Sequence, residues 1–446
     1  MSLSTHLHER RKACAIALTA GSLILVPASV ARAAMPSCNS YTNPVYVSGA
    51  TAAQPILAQI AVALGSSISV IYQSQPSCIG LEDVIGTSTD PKSAVYLDPT
   101  NATNQIACDP TNGGTSSGLY VDIGLSGVYP ATCSAATNTP SPGPNQQDFP
   151  GPVQAVTFVV PSTSTQAAIS AQAAYVVFGW AGQGGYTVSP WTDPTQMYVL
   201  TPSSGVELLL ASAIGLPAAK WLAQSPYEGG APQHYSSNSA LITALADTTN
   251  VEATIGISAT EYADLNRDKV RVLAYQSTDP YTQGEQACGY LPDSDSTHFD
   301  KINVRQGRYA PWGPIHALAN TDGSGNVVPN PGNTGSSASA VAAVVHSLAL
   351  DSTLSASQLQ SMIQAVSYAY AIPPCAMEVT RTDEMGAEAS FQPPHSCGCF
   401  FESLASGSPG TPGQPTSPYC QTCSADADCA DAGIYTHCNY GYCEVQ

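Results

Sequence analysis

Three short stretches of this chain gather small hydroxyl residues and glycine where strand-like runs give way to helix-like ones. They are Ser48-Gly49-Ala50-Thr51, Gln75-Pro76-Ser77-Cys78-Ile79-Gly80 and Ser203-Ser204-Gly205-Val206. The first turn of a helix leaves backbone N–H groups unpaired and partly positive, and nearby hydroxyls add neutral donors, so such turns suit an oxyanion. Ser and Thr also cap helices that bind nothing. Each turn alone therefore marks only a helix start, and only convergence on one cavity would make the three a site.

Other motifs point elsewhere with less support. Gly114-Thr115-Ser116-Ser117-Gly118 matches the G-x-S-x-G elbow of hydrolases, which needs a strand before it and a helix after it. Here it follows Asp109-Pro110-Thr111-Asn112-Gly113, a loop by composition, so a hydrolase using Ser116 is the weaker alternative. There is no H-E-x-x-H, Walker loop or dinucleotide fingerprint. His395, Cys397 and Cys399 have metal-ligand chemistry, but disulfide bonding suits these cysteines better in an oxidising compartment. The expectation is a protein that is not an enzyme, with no catalytic group, no cofactor and no metal.

The elements around the turns alternate. Val45-Tyr46-Val47 reads as a strand, 55–64 as a helix, 69–72 as a strand, and 121–125 as a third strand after an insert at 88–119 that carries Cys108. Residues 140–150 are a Pro/Gly/Asn loop, and 153–161 is the most β-like run in the chain. Helical patterns at 167–180, 206–214 and 240–246 enclose strands at 197–200, 255–257 and 270–275, and two more helices span 338–350 and 356–370. Alternation of this kind predicts an α/β fold with sheets covered on both faces.

Arg10, Arg11 and Lys12, the apolar run 13–26 and Ala31-Arg32-Ala33 form a secretory signal, so 1–34 is expected to be removed and the protein to act in the periplasm, outside the cell or at its surface. No later run reaches the roughly 18 apolar residues of a membrane span, so the mature chain is expected to lack one. The signal takes four of the 13 Lys/Arg and one of the 32 Asp/Glu, leaving nine basic and 31 acidic residues, a net charge of −22. That charge repels nucleic acid. Thirteen of the 14 cysteines follow the signal, an odd number.

In order along the chain, Gly49-Ala50-Thr51, Tyr72-Gln73 with Ser77, Asp122-Ile123-Gly124-Leu125-Ser126 and Ser204-Gly205 resemble the motifs of the phosphate-binding proteins of bacterial ABC importers. Residues 250–262 are similar to a later strand of that family. The likeness covers about 45–275, with a weaker tail to His316. It implies a two-lobed periplasmic-binding-protein fold with an interlobe cleft, capture of a small polar or anionic ligand such as phosphate, and an ABC permease as partner. The implied ligand contacts are Ser48, Ala50, Thr51, Ala52, Ser77, Ser126, Gly127, Ser204, Gly205 and Val206. Two positions depart from the family. Gly127 stands where the family has an Asp, and Leu200-Thr201 where it has an Arg. Three of the nine basic residues lie at 301–308; Arg305 or Arg308 is a candidate replacement cation, against the favoured plainer reading that both pair with the protein's own acidic surface.

Lobe one is expected over about 45–150 and 309–403, and lobe two over about 162–262. Crossing strands are expected near 153–161 and 257–275. Residues 404–419 read as a flexible linker, and 420–446 as a tail with Cys420, Cys423, Cys429, Cys438 and Cys443, which makes three bridges with the help of Cys397 or Cys399. Cys78, before the insert, and Cys108, which it carries, are expected to pair and tie it down. A module this small needs such staples. The alternative function is a surface or extracellular interaction protein that kept the fold and lost ligand uptake.

Overall fold

In a computed structural model, β1 (Pro44–Ala50) is buried at every residue, the pattern of a parallel strand covered on both faces. The structure describes residues 35–445 apart from 87–88, 90–91, 112–113, 115–116, 225–233, 278–288, 334, 409 and 431–432. α1 (Gln54–Leu64), β2 (Ser69–Gln75) and α2 (Ser77–Ile85) follow β1, which pairs with β2 in parallel from Pro44↔Ser69 to Ala50↔Gln75. The insert holds β3 (Ala94–Leu97) and β4 (Gln105–Cys108), a hairpin that extends the sheet beyond β2. β5 (Ile123–Ser126) pairs in parallel with the other edge of β1 and leads to α3 (Pro130–Thr137). α2 packs so near the sheet that a Cβ on Gly80 would lie 2.4 Å from Gly49 Cα. Strands β1, β2 and β5 thus end side by side, the edge where open α/β sheets hold ligands.

β6 (Gln146–Pro161) is the long run foreseen around 153–161, begun earlier than the loop composition suggested. After it come β7 (Ala168–Ser170), α4 (Ala171–Trp180), β8 (Met197–Leu200), α5 (Gly205–Ala213), β9 (His234–Tyr235), α6 (Asn238–Ala246), β10 (Ile255–Ala259) and α7 (Thr260–Leu265). Then follow β11 (Val270–Val272), β12 (Ala274–Gln276), α8 (Ile302–Arg305), β13 (Trp312–Asn320), α9 (Ala338–Ala349), α10 (Ala356–Tyr368), β14 (Val379–Thr380), β15 (Ala389–Ser390), α11 (Gly398–Ala405), β16 (His437–Asn439) and β17 (Tyr442–Glu444).

Among the described residues, one sheet of 11 strands runs β4-β3-β2-β1-β5-β13-β6-β10-β8-β9, with β11 also on β6. β6 joins its halves: residues 146–155 pair with β13, 156–159 with β10 and 159–161 with β11. Ile56, Leu57, Val341 and Val345 share one core of the first half. Phe158, Phe178, Leu209 and Ile257 share the core of the second. The second crossing is not at 257–275, because β10 and β11 both spend their hydrogen bonds on the far end of β6. The chain returns instead at Tyr309–Trp312, where Tyr309 Oη donates to Val156 O at 2.8 Å.

Asp122 fastens the long 321–337 loop to the first half. Its carboxylate accepts from Tyr46 N, Asn330 N, Asn333 Nδ2 and Ser336 Oγ at 3.1, 2.9, 2.8 and 2.8 Å. Burial pushes its pKa up, and these four donors pull against that shift.

The 12 described cysteines form six disulfides, and Cys14 and Cys288 lie outside the described residues. The expected Cys78–Cys108 pair is not among them. β4 carries Cys108 to the outer edge of the sheet, where it bonds Cys38, while Cys78 in the first turn of α2 faces α3 and bonds Cys133. The tail forms the three expected bridges, with Cys399 rather than Cys397 as helper: Cys399–Cys420, Cys423–Cys438 and Cys429–Cys443. Cys397 joins Cys375. The segment read as a flexible linker is pinned to α11. Gly413 N donates to Ser403 O at 2.7 Å and Ser417 N to Glu402 Oε2 at 2.8 Å.

Candidate ligand site

Eight of the ten expected contact residues line one small cavity between the halves: Ala50, Thr51, Ala52, Ser77, Gly127, Ser204, Gly205 and Val206. Three helix starts meet there. Thr51 to Ala53 form a turn of 3-10 helix ahead of α1, Ser77 opens α2, and Ser204 caps α5 by accepting from Glu207 N at 3.2 Å. Ser48 and Ser126 are elsewhere. Ser48 Oγ donates to Asp83 Oδ2 at 2.5 Å, and Ser126 Oγ donates to Val128 O at 2.7 Å, so each serves its own half.

At the centre of the contact, Ser77 Oγ accepts two backbone N–H groups, from Gly127 at 3.1 Å and Gly205 at 3.0 Å. Other bonds close the halves around this point. Cys78 N donates to Ser203 O at 3.4 Å, Tyr262 Oη to Thr51 O at 3.0 Å, and Asn238 Nδ2 to Thr51 Oγ1 at 3.4 Å. The remaining space is about 10 Å³, room for about one water. Among the described residues, the cleft between the halves is therefore closed down to this space. The absence of a Cβ at 205 lets the turns touch: a Cβ on Gly205 would fall 2.6 Å from Ser77 Oγ and 3.0 Å from Gly127 Cα.

None of the described lining residues is charged. Arg305 does not supply the missing cation. It is buried beside the tail, with Nη1 on Glu402 Oε1 at 2.8 Å and Nε on Ala376 O at 2.8 Å. Arg308 is exposed and also off the lining. Both follow from where the 289–311 segment runs, under β6 and α11 rather than across the strand ends.

Gln154 is the lining residue that sequence reasoning missed most clearly. It sits on β6 where pairing passes from β13 to β10, and its Nε2 donates to Glu261 Oε2 at 3.0 Å and Ala52 O at 3.3 Å. A lone amide inside the most apolar β run was the available signal. Pro76 and Ser236 also line the cavity, as do Leu200 and Thr201, the pair that stands in place of the family's Arg. Glu261 is fully buried, and desolvation holds its carboxyl well above the usual range. Lys301, itself bound to Asp264 at 2.6 Å and Asp293 at 2.8 Å, works against that shift. Glu207 is buried with neither carboxyl oxygen hydrogen-bonded among the described residues, and burial raises it. Of the elbow motif at 114–118, Thr115 and Ser116 lie outside the described residues.

No family model matches the chain, and no curated protein matches it. Among solved structures, it is similar to a Clostridium perfringens protein described as a phosphate ABC transporter substrate-binding protein with bound phosphate (13% identity, TM-score 0.42, covering 74% of this chain and 99% of that one). A Planctomyces limnophilus protein described as phosphate-binding gives 12% identity and a TM-score of 0.37, over 74% of this chain and 99% of that one. A full-length OxyR variant of Pseudomonas aeruginosa gives 9% identity and 0.35, over 69% of each chain. On its own strand order, the protein is an α/β protein whose two half-sheets share a long strand, with a disulfide-rich C-terminal region. No described helix is long and apolar enough to cross a membrane.

Proposed function

We propose that this chain is an exported binding protein whose half-sheets close on a small oxygen-rich solute, with a phosphate-like oxyanion as the favoured class. The observation that carries this reading is the pair of amides from Gly127 and Gly205, one from each half, aimed at a single oxygen. That oxygen is now Ser77 Oγ, and a ligand oxygen in its place would be held by the same N–H groups and by the Thr51 and Ser204 hydroxyls. Binding then requires the halves to part and Ser77 to rotate away, as in hinge closure around a solute. With no cation in the lining, grip rests on neutral donors. A missing charge-assisted bond of roughly 1.5–3 kcal/mol implies about ten- to hundredfold weaker affinity than a site with one. The chain acts by holding its ligand and not by turning it over. If the solute is imported, a membrane permease is the partner.

Calorimetric titration of phosphate, arsenate and sulfate into the mature chain tests the reading. Saturable heat that Thr51→Val weakens supports it. No heat from any of the three at millimolar concentration removes it. The second reading, an exported interaction protein that no longer takes a solute, is favoured by one observation: the amide seat is already filled by Ser77, with space left for about one water.

A further inference from the structure

A second cavity, of about 670 Å³, opens where the tail meets α11 and the segment around α8. That volume falls within the range of small-molecule sites. Its lining contains a complete ion pair, Arg305 with Glu402, whose guanidinium also donates to Ala376 O and Asp300 O. The other charged lining residues, Asp300, Glu378 and Glu444, are all carboxylic acids. Asp300 accepts from Ser294 and Glu444 from Phe400 N, whereas Glu378 is exposed. Beyond its internal pair, the lining is therefore acidic. Tyr419 and Tyr435 line the same cavity with stacked rings 6.0 Å apart and 13° from parallel, Tyr419 being 64% exposed. Bridges Cys375–Cys397 and Cys399–Cys420 fix the walls.

An aromatic face attracts a cation through its quadrupole, and an aliphatic chain covers apolar wall while its charged end reaches a carboxylate. Among the described lining residues, an anion would meet acidic groups and an Arg already engaged. We propose that this cavity binds a primary alkylammonium on an aliphatic chain, with the Tyr419–Tyr435 pair and Glu378 as its principal contacts. The two sources of that chemistry are a free polyamine and a lysine side chain of a polypeptide. Burial pushes the Glu444 carboxyl up to about 7, so added negative charge above neutrality acts in the same direction.

Calorimetry on the mature chain with spermidine and with Nα-acetyl-lysinamide tests this. Saturable binding of either probe is expected, weakened about three- to tenfold in Glu378→Gln and in Tyr419→Ala. Both substitutions are at exposed positions, and circular dichroism verifies that the variants fold. Tighter binding of spermidine assigns the site to free polyamines, and tighter binding of the lysinamide assigns it to a polypeptide. The inference is overturned if neither probe binds at millimolar concentration, or if binding is unchanged in both variants. Phosphate is expected not to compete with either probe, which would keep this result separate from the cavity between the halves.

Discussion

Ser77 Oγ lies 3.0 Å from the backbone nitrogen of Gly205, 128 residues further along the chain. The hydroxyl belongs to the first half of the sheet and the amide to the first turn of a helix in the second. One oxygen thus serves as the point of closure between them. Any side chain at 205 would stand in the way.

Gly205→Ala should therefore part the halves. Its Cβ would come 2.6 Å from Ser77 Oγ and 3.0 Å from Gly127 Cα, and overpacking of this kind costs about 1–3 kcal/mol. A lower melting temperature and a larger radius of gyration by X-ray scattering are expected. Adding Ser77→Ala removes the nearer contact and should restore part of the loss. An unchanged radius in Gly205→Ala would show that the turns yield without opening.

Glu207→Gln should stabilise the protein by an amount that grows with pH. The folded value of Glu207 is raised by burial, so the folded chain keeps a proton that the unfolded chain releases above about pH 4.3. Wild-type stability is full below that pH and falls as pH climbs toward the folded value, by up to about 1.4 kcal/mol per unit. Gln carries no such proton. Urea midpoints of the two proteins should be close at about pH 4 and diverge at about pH 7. A gap that does not change with pH would mean that Glu207 is ionised in the fold.

Asp122→Ala should release the 321–337 loop. It leaves four donors without their acceptor, one of them the backbone N–H of Tyr46 in β1. Stranded buried donors cost about 1–3 kcal/mol each where water does not reach them. A destabilisation of at least about 2 kcal/mol in urea unfolding is expected, with faster proteolysis within that loop. A loss under about 0.5 kcal/mol would place the loop's anchorage elsewhere.

Cys399→Ser with Cys420→Ser should free the tail before the body. The bridge spans 21 residues, for which chain entropy gives about 3 kcal/mol. Limited proteolysis is expected to cut the variant near 404–419 while 44–320 stays intact. Non-reducing peptide mapping of the wild type should recover Cys38 with Cys108 and Cys78 with Cys133. A recovered Cys78–Cys108 peptide would contradict the placement of the β3–β4 hairpin.

Much of the fold was legible because burial imposes periodicity. The apolar runs at 45–47, 69–72 and 197–200 match strands, and the 3.6-residue patterns at 55–64, 338–350 and 356–370 match helices. The turns at Thr51, Ser77 and Ser204 were legible as helix starts, since capping is a local requirement. Gln154 was hidden because its neighbours, Val153 to Pro161, declare only a strand. The particular partner of Arg305 was hidden in sequence because Glu402 lies 97 positions away. The hairpin that separates Cys108 from Cys78 sits in a segment whose polar composition reads as loop, since an edge strand can face water and needs no apolar alternation.

By itself the sequence determined the alternating elements, the acidic charge and a covalently stapled tail, because local propensity, charge count and cysteine spacing are properties of neighbours along the chain. Only the tertiary structure decided that three distant turns share one cavity, that Ser77 fills it, and that Arg305 turns to Glu402. Those outcomes depend on which surfaces β6 brings face to face, and contacts between residues a hundred positions apart leave no periodic trace in either segment.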